Sequence, residues 1–259
     1  MTARHLLILG GTGEAAALAR GALARFGENL TVTTALAGRT RHPGPIPGQV
    51  RIGGFGGPGG LAAYLAMHGI DRLIDATHPF AAEISRAARI AADRAGVPRL
   101  SVLRPPWRRH ALDRWIEVES LEAAALLVGR VGRRAWLTVG AGSVTAFAPA
   151  TGVRFLVRLV DPPSERLPLR FYEVVLGRGP FSLAEERHLL QRHAIDVVVC
   201  KASGGAATEA KLVAARELSL PVIMVRRPPA EPGPSVETVE AALDWLAGLD
   251  HQPAAKRMP

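Results

Sequence analysis

Leu6-Leu7-Ile8-Leu9-Gly10-Gly11-Thr12-Gly13-Glu14-Ala15-Ala16 carries an apolar run into a glycine-rich turn and then into an alanine-rich segment. Four consecutive aliphatic residues that stop at a glycine pair read as a strand buried on both faces, Leu6–Leu9, and the alanine- and leucine-rich stretch Glu14–Phe26 reads as a helix. Gly11, Gly13 and Ala16 match the GxGxxG/A spacing, directly after a strand and before a helix. In that context the glycines let backbone approach a diphosphate, and the first-turn amides and the helix dipole favour its charge. Gly11, Thr12, Gly13 and Glu14 are therefore expected to hold the diphosphate of a dinucleotide; a tight glycine-rich turn with no ligand is the alternative.

The next strand, Leu30–Leu36, sharpens the cofactor. NAD enzymes place a carboxylate about 20 residues beyond the glycines for the ribose hydroxyls, whereas an arginine accommodates a 2′-phosphate. Here the strand runs into Ala37-Gly38-Arg39-Thr40-Arg41, without a carboxylate. NADPH is expected over NADH, with Arg39 offering a planar fork, Thr40 a hydroxyl and Gly38 the close backbone, unless the segment is only a solvated basic turn.

Outward from this unit, short aliphatic runs alternate with helical segments, the pattern of βα units around parallel sheets. Expected elements are a strand ending at Ile52, helix Leu61–His68, strand Arg72–Ala76, helix Ala81–Ala95 and strand Arg99–Leu103. The basic, proline-bearing stretch Arg104–His110 breaks the rhythm. Beyond it come strand Trp115–Val118, helix Leu121–Val131, strands Ala135–Val139, Arg154–Val160 and Tyr172–Leu176, and helix Leu183–His193. Strand Val197–Cys200, helix Ala207–Leu218, strand Val222–Val225 and helix Leu243–Leu249 follow. The expected fold is α/β: two Rossmann-like lobes with parallel sheets and an active-site cleft between them. Residues 1–104 form the nucleotide-binding lobe, 105–114 the linker, 115–250 the second lobe and 251–259 a frayed tail.

Ligands of such folds bind outside the carboxyl ends of the strands, so those loops hold the other candidates. Gly53–Gly60 contains six glycines in eight positions. Either a mobile loop over the cofactor, with Gly54 in contact, or a flexible linker explains it. In Asp75-Ala76-Thr77-His78-Pro79, Pro79 suits a first helical position, with Thr77 or His78 near the cap; His78 either moves a proton or binds an anion, or serves only as that cap. Lys201, one of three lysines in the chain, ends a strand before Ala202-Ser203-Gly204-Gly205. Lys201 and Ser203 suit an anion cradle. Arg178, in Gly177-Arg178-Gly179-Pro180-Phe181, lies on a further loop of the same kind, and the lone Cys200 reads as a small core hydrophobe.

The 259 residues carry 32 Lys plus Arg against 23 Asp plus Glu, a formal charge of +9. This favours polyanionic ligands. Aromatics make up 5% and no basic stretch is interleaved with them, which argues against a single-strand nucleic-acid platform. One cysteine and no HExxH spacing argue against a metal site. No apolar run suits a membrane span and no leader pattern precedes the first strand, so a cytoplasmic protein is expected. Nothing demands an oligomer, which leaves a monomer open. Neither Tyr64 nor Tyr172 has a lysine four residues later, against the Tyr-xxx-Lys pair of sugar and steroid reductases.

GGTGEA at Gly10–Ala15, AGRT at Ala37–Thr40, GGFGG at Gly53–Gly57 and DATHPFA at Asp75–Ala81 together resemble the precorrin-6A reductase family. So do RPPW at Arg104–Trp107, RGPF at Arg178–Phe181, KASGG at Lys201–Gly205 and the run from Ala214 to Pro228. Ala202 departs from the polar residue common there, which leaves that loop's side-chain contacts open. The resemblance implies NADPH-dependent reduction of a double bond in the precorrin-6A macrocycle, giving precorrin-6B, in cobalamin biosynthesis. A cobalt-bearing substrate and an NADPH sensor without turnover stay open as alternatives. A macrocycle with many carboxylates suits the arginine-rich chain. On this reading Asp75, Thr77, His78, Arg104 and Arg178 face the substrate, with His78 and Lys201 the candidate proton donors.

Overall fold

The computed structural model describes residues 4–38, 41 and 43–248. These fall into two compact units, one of the described residues up to 104 together with 228–248, the other of residues 105–227. The first contains β1 (Arg4–Leu9), α1 (Gly13–Phe26), β2 (Leu30–Leu36), β3 (Gln49–Ile52), α2 (Gly57–Met67), β4 (Arg72–Asp75), α3 (Ala82–Ala95) and β5 (Arg99–Val102). The second contains β6 (Arg114–Val118), α4 (Leu121–Val131), β7 (Arg134–Leu137), β8 (Arg154–Leu159), β9 (Tyr172–Leu176), α5 (Leu183–Arg192), β10 (Val197–Lys201), α6 (Ala210–Glu217) and β11 (Pro221–Val225). The chain then returns to the first unit as β12 (Ser235–Val236) and α7 (Val239–Gly248).

Each unit is built on a six-stranded sheet, ordered β3-β2-β1-β4-β5-β12 in the first and β9-β8-β7-β10-β11-β6 in the second. Every described pairing is parallel. The first order is the doubly wound 3-2-1-4-5-6 arrangement, whose ligand crevice lies where the order reverses, between β1 and β4. The second reverses in the same way between β7 and β10, but its edge strand beside β11 is β6, the first strand of that unit and not the last. Leu6–Leu9 show why the strands are aliphatic throughout. Leu6 and Ile8 pack with α1 and α7 residues such as Leu18 and Leu243, and Leu7 and Leu9 pack with Leu61, Leu65 and Ala88 on the other face. A strand covered on both faces has no polar side.

The C-terminal segment departs from the expectation that residues 115–250 form one lobe. β12 pairs with β5, Ser101 N–H donates to the Pro234 carbonyl at 3.0 Å, and Leu103 N–H donates to that of Val236 at 2.8 Å. The buried Arg99 guanidinium donates to the Pro232 carbonyl at 2.5 Å, and Arg89 pairs with Glu231 at 2.8 Å. A two-residue strand has no periodicity to read, so the return is invisible until the pairing is seen.

Two helix starts also differ from expectation. α2 begins four residues earlier than Leu61, taking Gly57–Gly60 as its first turn with Pro58 near its N-terminus. Arg51 donates to the carbonyls of Gly53 and Gly54 at 2.5 and 2.8 Å and stacks 4.0 Å over Phe55, so the glycine run is half helix and half clamped turn. α3 begins at Ala82, after Pro79, because His78–Ala81 closes a β-turn, with Ala81 N–H donating to the His78 carbonyl at 2.7 Å.

In the second unit Asp113 anchors the chain just before β6. Its carboxylate accepts from Arg216 of α6 at 2.7 and 3.3 Å and from the His110 N–H at 2.7 Å. Burial pushes the carboxyl up, but the Arg216 and His110 hydrogen bonds outweigh it and hold the pKa below the ordinary value. A depressed carboxylate contributes stability above its unfolded pKa, and the contribution is lost as pH falls through the folded value. Asp113→Asn is expected to destabilise the protein by about 3 kcal/mol at pH 7, the scale for breaking a buried pair. In thermal melts the gap to wild type should narrow toward pH 3; a gap independent of pH would refute the ion-pair account.

Candidate functional site

In the first unit the candidate residues gather at the carboxyl ends of β1 to β5. β1 hands the chain to Gly10, whose N–H donates to the Ala35 carbonyl at the end of β2 at 2.9 Å. Gly11 follows at φ +101°, a conformation that a side chain would strain. Thr12 then caps α1: its Oγ1 accepts from the Ala15 N–H at 3.1 Å and donates to the Ala76 carbonyl at 2.6 Å. One hydroxyl thus ties the β1 turn to the β4 turn at the reversal point. A Cβ placed on Gly13 would meet nothing within 4 Å, so the fold itself does not require glycine there. First-turn amides of α1 lack intrahelical partners, and Glu14 on that turn is paired with Arg104 at 2.8 Å.

Asp75 ends β4 with its carboxylate buried, accepting from the Thr77 N–H at 3.0 Å and the Thr77 hydroxyl at 2.7 Å. These bonds fix the start of the β4 turn. The N-cap of α3 is Ala81, so His78 does not cap it; His78 Nδ1 instead accepts from the Phe80 N–H at 3.2 Å within the preceding turn, which in a neutral imidazole puts the proton on Nε2. Gly38 follows β2 at φ +74°, and Gly53 N–H donates to the Leu36 carbonyl at 2.9 Å, which sets the β2 and β3 turns side by side. Gly54 lies in the turn clamped by Arg51. Arg39 and Thr40 lie outside the described residues.

In the second unit Lys201 is the last residue of β10 and donates to Ser143 Oγ at 2.7 Å. Ser143 belongs to a 3₁₀ segment, Ala141–Phe147, which follows β7 and Gly140. Lys201 and Ser143 therefore sit where this sheet reverses, the counterpart of Thr12 and Ala76. Sequence reading passed over Ser143. The signal was Gly140-Ala141-Gly142 directly after a strand, hidden because a 3₁₀ segment lacks the period of an α-helix.

Ser203 is buried, and the carbonyls of Ala202 and Ser203 accept from Arg227 at 3.2 and 3.0 Å. Trp107 Nε1 donates to the Gly205 carbonyl at 2.8 Å. Arg178 is exposed in the loop between β9 and α5. Cys200 is buried, its thiol pushed up to about 11 by burial, which makes it an inert core group. The structure therefore brings together Gly11–Glu14, Gly38, Gly54, Asp75–His78 and Arg104 in one unit, and Lys201 with Ser143 beside Ser203 in the other. No described helix is long and apolar enough to cross a membrane.

The sequence matches the family described as "Precorrin-6x reductase CbiJ/CobK" over residues 5–247. It is 46% identical to the Precorrin-6A reductase of Rhodococcus erythropolis across 95% of this chain and 98% of that protein. It is 28% identical to the Cobalt-precorrin-6A reductase of Priestia megaterium across 93% of this chain and 97% of that protein. Among solved structures, CobK precorrin-6A reductase superposes with a TM-score of 0.90 at 42% identity, covering 97% of this chain and 99% of that one. A match that runs through both sheets, the reversal-point turns and the returning C-terminal segment places this chain in the precorrin-6x reductase family.

Proposed function

We propose that the protein reduces a double bond of the precorrin-6A macrocycle, giving precorrin-6B, with NADPH as reductant. The single observation that carries the nucleotide half is the Gly11-Thr12-Gly13 turn, tied through Thr12 to Ala76 where the first sheet reverses. The open space over Gly13 and the α1 N-terminus suit a diphosphate. Gly11–Glu14, Gly38 and Gly54 would hold the cofactor, with Arg39 and Thr40 on its 2′-phosphate and Lys201 and Ser203 toward its other end. Bound NADPH supplies a hydride.

The chain's own residues orient and match charge. Asp75 and Thr77 hold the β4 turn, His78 presents Nε2–H, and Arg104 and Arg178 take substrate carboxylates. A protonated conjugated imine of the macrocycle accepts the hydride without a further proton; if one is needed, His78 and Lys201 are the groups to supply it. The greater identity to the Rhodococcus Precorrin-6A reductase than to the Priestia Cobalt-precorrin-6A reductase, 46% against 28%, supports the metal-free ring as substrate. Calorimetric titration with NADPH and NADH tests the cofactor reading. NADPH should bind at least about tenfold more tightly, the worth of about 1.4 kcal/mol from a phosphate fork; equal affinities would remove the 2′-phosphate site.

A further inference from the structure

We propose that Arg158 and Phe181 form a clamp that positions Arg178 for a substrate carboxylate, an inference that rests on the reading of Arg178 as a substrate contact. Arg158 projects from β8 and its Nη1 donates to Glu186 Oε1 of α5 at 2.5 Å, with side-chain exposures of 12% and 1%. Its guanidinium lies 4.5 Å from the Trp136 ring centroid and 3.9 Å from that of Phe181. A buried ion pair is an inefficient way to stabilise a core, because an apolar pair of similar volume does as well or better. What the pair supplies is direction: a planar cation held by Glu186 and stacked against the Trp136 and Phe181 rings.

Phe181 is the nearer of the two rings, and the loop before it packs around that ring. A Cβ on Gly177 would come within 3.0 Å of Phe181 Cε1, and one on Gly179 would meet Phe181 Cε2 at 3.4 Å and the Ala207 carbonyl at 3.2 Å. The two glycines flanking Arg178 thus pack against the same ring. On its other side Phe181 leads directly into α5, whose start is fixed by the Ser182–Glu185 capping box. Ring, ion pair and cap give the exposed stretch Arg178–Pro180 a defined path. Burial raises the Glu186 carboxyl and Arg158 opposes that rise, in keeping with a partner held for its charge.

Removing Arg158 outright strands Glu186, so the variants chosen are Phe181→Leu, which keeps the ion pair, and Arg158→Lys, which keeps a charge for Glu186 but loses the planar stack. Each should raise the KM for precorrin-6A about tenfold, with kcat and the KM for NADPH unchanged, while Phe181→Tyr, which keeps the ring face, stays near wild type. In an Arg178→Ala background Phe181→Leu should add little further. An unchanged precorrin-6A KM in folded Phe181→Leu, or an undiminished effect in the Arg178→Ala background, overturns the clamp. If Arg178→Ala alone leaves that KM unchanged, Arg178 is not a substrate contact and the underlying reading falls with the clamp; if it raises KM and Phe181→Leu does not, the clamp alone falls.

Discussion

Gly13→Val is expected to weaken NADPH binding about 100-fold while leaving the protein folded, the loss corresponding to about two charge-assisted hydrogen bonds at the diphosphate. A Cβ at Gly13 has no neighbour within 4 Å, and the first position of a helix tolerates a branched side chain at a small cost. Only an occupant of the turn would meet the new methyl groups. Titration calorimetry beside a thermal melt checks both halves. Unchanged affinity would move the diphosphate away from this turn, and a collapsed melting temperature would show that the glycine serves the fold.

Arg39→Ala should lower NADPH affinity about 10- to 100-fold and leave NADH binding as it was, the outcome expected of a guanidinium proposed to address only the 2′-phosphate. The residue follows Gly38, where β2 delivers the chain at φ +74°. The ratio of the two dissociation constants is the quantity to measure. Equal losses for both nucleotides would mean that Arg39 acts on the shared diphosphate or on local structure.

Most of the scaffold was legible because strands buried on both faces and alanine-rich helices leave strong patterns. Leu6–Leu9, Leu30–Leu36 and Val197–Cys200 declare themselves by aliphatic density alone. What escaped was set by pairing and clamping. β12 is two residues long, and its membership of the first sheet depends on Arg99 and Ser101, more than a hundred residues away in sequence. α2 starts at Gly57 against the low helix propensity of glycine, aided by Pro58 and by Arg51 holding the preceding turn. In the sequence His78 reads equally as a helix cap and as a reactive group; α3 takes Ala81 as its N-cap, and His78 Nδ1 accepts from the Phe80 N–H in the turn before the helix.

At the candidate site, motif spacing found the turns but not their supports. Gly11–Glu14 and Asp75–His78 stand out in the sequence, yet the Thr12–Ala76 bond that joins them is a contact between a side chain and a distant carbonyl. Ser143 beneath Lys201 and Arg158 beneath Phe181 were missed for the same reason. Supports of this kind are spread along the chain and acquire meaning only when the sheet brings strands such as β7, β8 and β10 into order.

The most direct test is to mix the protein anaerobically with NADPH and precorrin-6A and follow the reduced-nicotinamide absorbance, with NADH and the cobalt-containing ring as parallel substrates. Substrate-dependent oxidation of NADPH, one equivalent per macrocycle reduced, with little from NADH and less with the cobalt ring, is the predicted result. Tight NADPH binding with no oxidation in the presence of precorrin-6A would contradict it.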